Sequence, residues 1–357
     1  MELVRQWFQR HFSDPQVVIL ALVLLLGFVV VITMGKMLAP VLAALVLSYL
    51  LEGIVVALKR FGAPRLIAVV LVFLVFIVAL VFALLGLLPK LSYQVTQLFQ
   101  QLPNIVGKGQ DAMLHLPERY PGLVSEAQVA DLMDVIRAEL AGLGQRVVSM
   151  SMASVIGIMT IMVYLVLVPL LVFFFLKDKQ RITDWLQGYL PKERALTTQV
   201  WQDVNVQIAN YVRGKIWEIL AVGSVSYITF VAMGLQYAVL LSTLVGLSVV
   251  IPYIGAAAVT LPIAAIAFFQ WGWSSDFWYL MLAYTVIQAI DGNVLVPLLF
   301  SEVVNLHPVA IILAVLVFGG IWGFWGVFFA IPLATLVQAV LRAWPNKPLP
   351  ETDVAAT

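Results

Sequence analysis

Apolar residues dominate this chain in long segments that two polar stretches interrupt. A helix crosses a bilayer with about 20 consecutive apolar residues, and the sequence holds eight segments of roughly that length or longer. The pattern therefore predicts an all-α polytopic membrane protein, with a short turn at Gly35 and Lys36 between the first two segments. The segments cover residues 17–34, 38–58, 66–88, 152–176, 216–233, 237–269, 278–300 and 308–341.

Residues 219–275 form a run of 57 residues without a charged side chain. The run exceeds the length of one span, and it contains Pro252, Gly255 and Pro262. A proline removes a backbone donor and breaks a helix. In lipid such a break is tolerated only where protein or a wet cavity satisfies the freed groups, and transporters bind their cargo at such discontinuous helices. The sixth and eighth segments, each longer than 30 residues, either cross the membrane as broken helices or fold as re-entrant hairpins.

The polar stretches carry helical patterns of their own. Leu91, Val95 and Leu98 share one helical face, and Val204 and Ile208 share another. We expect both faces to pack against the membrane part. A further stripe lies within residues 129–143. The expected organisation is a three-helix membrane part (residues 1–88), an extracytoplasmic helical insertion (89–150), a fourth membrane helix (151–176), a cytoplasmic amphipathic segment (177–214), a transport part with discontinuous helices (215–342) and a disordered cytoplasmic tail (343–357).

Composition excludes several classes of function. The chain is 62% hydrophobic and 11% charged, and its net charge of +1 leaves no basic surface for nucleic acid. The sequence has no cysteine, and its three histidines show no ligand spacing, so we expect no metal site. It also lacks a Walker-type phosphate loop, a nucleophile elbow and a metal-binding helix pair. We therefore expect no catalytic residues and no cofactor, and the chain is not expected to be an enzyme.

The basic residues predict an orientation. Of the 20 lysines and arginines, 14 fall in the two tails, the loop at residues 59–65 and the stretch at 177–215. These regions share one side if the first four segments alternate, and by the positive-inside rule that side is the cytoplasm. We therefore predict cytoplasmic N- and C-termini and an outer location for residues 89–149.

Polar groups inside apolar segments are the candidate binding residues, because they are costly in lipid. Asp291 is the foremost, since it lies between apolar residues beside Gly292 and before Pro297, where we expect an unwound stretch. We expect the carbonyls of this stretch to help bind a cation or polar solute and the carboxylate to carry a proton. The alternative is a helix-capping or interhelical hydrogen bond. The complete set of predicted solute- or ion-binding residues is Asp291, Asn293, Gln288, Tyr253, Glu218 and His307.

Two of these candidates have a specific structural alternative. Glu218 follows Lys215 by three residues, so it is either a binding residue or an interfacial residue paired with that lysine. His307 precedes Pro308 and is either structural or part of a proton relay.

Glycine and proline mark where the C-terminal segments are expected to break or hinge. Glycines in the eighth segment either allow close helix packing or permit a tight hairpin tip. We expect the breaks of the sixth, seventh and eighth segments to meet near the middle of the membrane, where they satisfy one another's freed backbone groups. The predicted hinge and broken-helix positions are Pro252, Gly255, Pro262, Gly292, Pro297, Gly323, Gly326 and Pro332.

A set of short motifs in a fixed order resembles the autoinducer-2 exporter family, which includes permeases of the PerM type. The matching residues are 38–40 with 48–51, 173–178, 211–214, 251–255, 291–297, 306–308 and 322–326 with 332–333. Two departures affect local geometry: Glu52-Gly53 stands where the family often has Asn-Pro, and Ala256 where it often has proline. The resemblance implies small-solute export or ion-coupled transport and leaves the substrate open.

Three hypotheses for the function follow. The first is a secondary transporter of the inner membrane that exports a small polar solute, for which the resemblance implies autoinducer-2 or a similar signal molecule. The second is a sodium or lithium/proton antiporter that uses Asp291 or Glu218. The third is a non-transporting membrane scaffold that holds a partner through its outer helices. In each case we expect a homo-oligomer embedded in the lipid bilayer, because the first and third segments are apolar nearly all round.

Overall fold

The structure is a computed structural model that describes residues 15–114, 154–189, 195–252, 254–300 and 306–343. These residues are helical with short connections and no strand, so the predicted all-α fold class is confirmed. Two π-helical turns, Ala83–Leu87 and Asp291–Leu295, join α2 to α3 and α9 to α10. The helices are α1 (Pro15–Arg60), α2 (Arg65–Phe82), α3 (Leu88–Leu114), α4 (Ser154–Lys177), α5 (Lys179–Gly188), α6 (Ala195–Ala232), α7 (Ala238–Ser248), α8 (Ile254–Trp271), α9 (Ser275–Ile290), α10 (Val296–Phe300), α11 (Pro308–Trp322), α12 (Phe324–Phe328) and α13 (Ala330–Ala343).

Five helical stretches in the described residues are long and apolar enough to cross a membrane. A sixth span results if α4 and α5, which are bent by 81° at Asp178, count as one. Shorter apolar helices account for the remaining predicted segments, so the polytopic membrane architecture is confirmed. The five stretches are Met37–Arg60, Arg65–Gln101, Val204–Ala232, Ile254–Trp271 and Ser275–Phe300.

The turn predicted at Gly35 and Lys36 is wrong. The first two apolar segments form one helix, α1, of 46 residues, and at about 1.5 Å per residue it far exceeds the roughly 30 Å hydrocarbon core of a bilayer. Neither residue removes a backbone donor, so the helix passes through both, and the glycine costs only about 1 kcal/mol. Because one reversal is lost, the alternation of segments no longer places the N-terminus, and its cytoplasmic location stays a prediction.

The chain divides into two compact units. The first comprises Met1–Gly53, Phe174–Gly214 and Phe300–Thr357, and the second comprises Ile54–Phe173 and Lys215–Leu299. Each unit has its own packing.

The second unit is organised around the two halves of the sixth segment. α7 and α8 pack against each other, and their buried faces, with Phe277, Leu280 and Tyr284 of α9, form the main apolar core. Leu91, Val95 and Leu98 of α3 pack against this core. The expectation that their stripe covers the membrane part is thereby confirmed. The stripe at residues 129–143 lies outside the described residues.

α7 and α8 form a helical hairpin, here called the first hairpin. α7 has only 11 residues, about half the length that a span requires. The chain then reverses, and Gln270 at the end of α8 returns to the start of α7. Its amide nitrogen donates to Gly234 O at 2.8 Å, and its oxygen accepts from Gln236 N at 2.8 Å. The two ends of the first hairpin therefore lie close together, so the sixth segment is a helical hairpin in the structure, and its course through the membrane stays a prediction.

A glutamine from α3 fixes the beginning of α7. Tyr237 precedes this helix in a left-handed conformation, with φ 57°, and provides no side-chain cap. The backbone N–H of Leu240 instead donates to Gln94 Oε1 at 2.8 Å. The first amides of a helix lack partners within the helix, so Gln94 satisfies one of them in the apolar interior.

The eighth segment forms a second hairpin in the first unit. α11 and α13 have 15 and 14 residues and pack against each other. Between them the short α12 folds back along α11. Val204 and Ile208 of α6 pack against Leu336, Ala339 and Val340 of α13, which confirms the packing predicted for this stripe. The end of α13 therefore lies beside the polar part of α6, and this segment is also a hairpin.

Candidate functional site

The second unit buries an ion pair. The Nζ of Lys215 lies 2.6 Å from Oε2 of Glu218, three residues further along α6. Lys215 is 3% exposed and Glu218 is 2% exposed. The pairing considered from the sequence is confirmed, but the interfacial location is wrong, because protein surrounds both side chains. A buried pair of this kind is retained only where further hydrogen bonds satisfy its charges.

The first hairpin supplies such a hydrogen bond. Lys215 Nζ donates to the carbonyl oxygen of Val249 at 2.9 Å. Val249 is the C-cap of α7, where the last carbonyls lack partners within the helix and the helix dipole is negative. The ammonium group therefore lies where discontinuous helices of transporters coordinate cations.

Asp291 is the third charged member of this set. It is 9% exposed and begins the π-helical turn between α9 and α10. It lies within electrostatic range of Lys215 and Glu218. Its Oδ1 is buried without a hydrogen-bond partner among the described residues. The site therefore brings one ammonium group near two carboxylates. Glu218 Oε2 is also buried, and among the described residues it has the ion pair with Lys215 but no hydrogen bond.

The backbone at Asp291 differs from the unwound stretch that we expected. The chain stays helical, but its turn is widened over Asp291–Leu295. Pro297 has no backbone N–H to donate to the preceding turn. A π-helical turn holds one more residue than an α-helical turn, so the chain stays helical before Pro297 and most of its backbone groups keep hydrogen-bond partners. Such single π turns occur frequently at functional sites.

Gln288 lies one turn before Asp291 and begins a series of hydrogen bonds that reaches α8. Its Nε2 donates to the hydroxyl of Tyr284 at 2.9 Å, and this hydroxyl donates to Ala256 O at 3.2 Å. Tyr284 is buried. Gln288 thus holds α9 to the first turn of α8, next to the tip of the first hairpin.

Two other predicted binding residues make local hydrogen bonds in the described part of the chain. Asn293 is exposed, and its Nδ2 donates to Ala289 O of its own helix at 2.8 Å. His307 belongs to the first unit, where its Nδ1 accepts from Val309 N at 3.3 Å and caps α11. Tyr253 lies outside the described residues.

The first hairpin reverses at Pro252, as predicted for a break there. Gly255 follows in the first turn of α8, so close to the Ser248 carbonyl oxygen that a Cβ would overlap it. Pro262 lies inside α8 without interrupting it. In the seventh segment Pro297 lies inside α10, and Gly292 is exposed with open space around it.

In the second hairpin the reversal occurs at Gly323, which has φ 59° and ψ −132°. A Cβ at Gly326 would overlap the carbonyl oxygen of Phe318, so α12 lies directly on the backbone of α11. Pro332 is in the first turn of α13, where a proline costs little. Gly323 therefore permits a tight turn, and Gly326 allows close helix packing, so each of the two roles expected for these glycines applies at a different position. That the break of the eighth segment meets those of the sixth and seventh stays a prediction.

Sequence reasoning missed the role of Lys215 as the centre of the site. We counted it among the cytoplasmic basic residues, although its spacing from Glu218 was a local signal that the two are paired. No sequence signal pointed to Val249 O, because a backbone acceptor at a helix end leaves no trace in residue type. The described residues contain no cluster of three or more side chains able to hold a metal ion.

The sequence is similar to known transport proteins over almost its whole length. The pattern of the AI-2E family of transporters matches residues 17–346. The chain is 46% identical over 346 residues to a protein of Escherichia coli K12 named "Putative permease PerM", covering 97% of this chain and 98% of that protein. It is also 24% identical over 333 residues to "AI-2 transport protein TqsA" of the same strain, covering 90% and 92%.

Proposed function

Since this chain belongs to the AI-2E family of transporters, a family of multi-pass membrane proteins, we propose that it exports a small polar solute across the inner membrane by alternating access. The observation that carries the proposal is the buried set of Lys215, Glu218 and Asp291 at the tip of the first hairpin. Charged groups inside a membrane protein mark substrate or ion pathways, and transporters bind their cargo at discontinuous helices whose last carbonyls lack partners within the helix.

The geometry supports the first hairpin as the moving element. α7 lies against α6 at Gly223 and Gly246, where a Cβ on Gly246 would be 2.9 Å from Ile219 O and 3.2 Å from Gly223 Cα. Small residues let the two backbones approach closely without side chains that interlock. At the opposite end, Gln270 closes the hairpin on itself. The hairpin thus moves as one body and carries Val249 toward or away from Lys215.

The first candidate for the solute is autoinducer-2. The relative TqsA is named for transport of this molecule, and the exporter resemblance of the sequence points the same way. At 24% identity the assignment to this chain is a proposal, and any small polar solute of similar size fits the same geometry.

A sodium or lithium/proton antiporter is the second candidate. It is favoured by one observation, the free Oδ1 of Asp291 beside Lys215 and Glu218. Such a carboxylate binds a proton or a cation in alternation. Ion flux into proteoliposomes without any organic solute distinguishes this function from export.

We further propose that the chain acts in the inner membrane as a homo-oligomer, with both termini in the cytoplasm and without a cofactor or catalytic chemistry. The apolar residues exposed on α2 suit contact with lipid or a neighbouring copy. Native mass spectrometry in mild detergent tests the assembly, and a monomer contradicts it. A scaffold without transport is the alternative that the next experiment excludes.

The experiment compares compounds exported by cells that have or lack the chain, with autoinducer-2 measured directly and all other metabolites surveyed without selection. We expect at least one small polar compound to accumulate inside the cells that lack it and to return to the medium on complementation. Identical inner and outer metabolite profiles, with a stable protein partner captured by the chain, support the scaffold and contradict export.

A further inference from the structure

The short helix α5 carries an apolar stripe. Ile182, Trp185, Leu186 and Tyr189 recur at i, i+3, i+4 and i+7, which places them on one face. Tyr189 follows the helix as its C-cap and keeps helical dihedral angles. The side chains of Trp185, Leu186 and Tyr189 are more than half exposed, and the two rings contact each other with their centroids 5.1 Å apart. Exposed apolar patches of this kind mark interaction surfaces.

α5 begins where a membrane helix ends. α4 has 24 residues, which at 1.5 Å per residue give a length of about 36 Å. It therefore crosses the roughly 30 Å hydrocarbon core of a bilayer without a contribution from α5. The axis of α5 departs from that of α4 by 81°, and membrane-spanning helices tilt by only about 20° on average from the bilayer normal. α5 therefore runs close to the plane of the membrane.

Lipid reaches the corner between the two helices along α4. Val166, Leu170 and Phe174 are spaced by four residues, so they share one face of α4, and all three are exposed. Exposed apolar side chains on a spanning helix contact the acyl chains of lipids. Phe174 lies one turn before Asp178, at which the chain bends. The lipid-facing surface of α4 therefore extends to the beginning of α5.

Basic residues border the apolar stripe of α5. At helical spacing Arg181 and Lys179 fall on its two edges, whereas Asp184 falls on the opposite face, and all three are exposed. The Nζ of Lys179 also lies 3.3 Å from Oε1 of Glu52 in α1. An apolar face that contains tryptophan and is bordered by basic residues is typical of helices that lie in the membrane interface. Tryptophan and tyrosine are enriched at that depth, and arginine there is attracted to anionic headgroups.

We propose that α5 is a surface helix that binds the lipid bilayer. Its stripe inserts Trp185, Leu186 and Tyr189 between the headgroups and the acyl chains, and Arg181 contacts an anionic lipid headgroup. The ion pair of Lys179 with Glu52 holds the beginning of α5 to α1 within the first unit. The helix is thus attached to the protein at its beginning and to the membrane along its length. This inference does not depend on which solute the chain transports.

The test measures the depth of single sites in the full-length chain, reconstituted in vesicles of phosphatidylcholine and phosphatidylglycerol. The sequence has no cysteine, so Leu186→Cys places a nitroxide spin label on the stripe alone. Gln180→Cys is the control, because Gln180 is exposed on the opposite face of the same helix. The label on the stripe is expected to collide more with oxygen, which concentrates in lipid, than with a water-soluble nickel chelate, and the control label is expected to show the reverse.

Two results overturn the insertion of the stripe. One is equal access of the chelate to both labels, which shows that the stripe lies in water. The other is protection of the label on Leu186→Cys from both reagents, which shows that a further segment of this chain or a second copy covers the stripe.

Vesicles of different charge test the contact with the headgroup. The ratio of immersed to water-exposed label on Leu186→Cys is expected to be higher with phosphatidylglycerol than in phosphatidylcholine alone. Adding Arg181→Gln is expected to reduce this preference about fivefold, the effect of one basic residue near an anionic surface. Arg181→Lys retains the charge and is expected to retain the preference. Equal immersion in both kinds of vesicle, or equal loss in the two arginine variants, contradicts the contact.

Discussion

The side-chain nitrogen of Lys215 lies 2.9 Å from the carbonyl oxygen of Val249, although 34 positions separate the two residues in the chain. This hydrogen bond attaches the middle of α6 to the tip of the first hairpin. It occupies the negative end of α7 with a tethered cation, and the same ammonium group pairs with Glu218. Movement of the hairpin therefore has to break or replace a contact between charged and polar groups.

Lys215→Met is expected to be strongly destabilising. It leaves Glu218 as a buried carboxylate without a partner, and breaking a buried pair in this way costs about 3–5 kcal/mol. Thermal unfolding of the detergent-solubilised chain measures the loss. The matched control is Lys215→Met/Glu218→Gln, which removes both charges and is expected to recover most of the stability. Equal destabilisation of both variants contradicts the view that the unpaired charge causes the loss.

The sequence predicted those parts of the fold that depend on local pattern. The apolar segments, the stripes on α3 and α6 and the pairing of Lys215 with Glu218 follow from spacing of one to three helical turns. The break at Pro252 follows from backbone chemistry. The turn at Gly35 and Lys36 was wrong because lysine favours a helix and a single glycine does not end a helix that long apolar flanks favour.

The site itself was only partly predictable. Asp291 and Glu218 were identified because ionisable residues are rare in apolar segments. Asn293 and Gln288 are also polar residues in an apolar segment. In the structure, however, Asn293 is exposed and Gln288 donates to Tyr284. Which face of a helix meets the hairpin tip is decided by tertiary packing, and no pattern within the seventh segment records it.

Gly255→Ala is expected to displace the tip of the first hairpin. The added methyl group overlaps the Ser248 carbonyl, so the backbone has to shift, at a cost of about 1–3 kcal/mol. Even the smallest side chain is therefore expected to be disruptive at this position. Gly292→Ala is the control, because nothing lies within 4 Å of its Cβ position. Thermal unfolding and export measured together test the prediction, and equal behaviour of the two variants contradicts it.

Gln270→Leu is expected to open the base of the first hairpin. The change removes hydrogen bonds to Gly234 and Gln236, each worth about 1 kcal/mol. Hydrogen exchange of the backbone amides in residues 234–241 is expected to accelerate by about tenfold or more, since 1.4 kcal/mol corresponds to a factor of ten. Gln270→Glu keeps an acceptor for Gln236 N and is expected to show a smaller effect. Unchanged exchange in Gln270→Leu contradicts the role of this clamp.

Cysteine accessibility tests the course of the chain through the membrane without background, because the sequence has no cysteine. Cysteines at Gln236 and Gly272 are expected to react from the same side, since both flank the base of the first hairpin. A cysteine at Met113 is expected to react from outside and one at Thr198 from the cytoplasm. Opposite sides for the first two sites contradict the hairpin, and a shared side for the last two contradicts the orientation.

The role of the buried charges in transport is tested by solute export in Asp291→Asn at a membrane abundance equal to that of the wild type, with Asp276→Asn as the control. Cells with Asp291→Asn are expected to retain the same compounds as cells that lack the chain, whereas cells with Asp276→Asn are expected to export them normally. Normal export by Asp291→Asn, in an assay where loss of the chain abolishes export, would show that the buried set of Lys215, Glu218 and Asp291 is not part of the transport pathway.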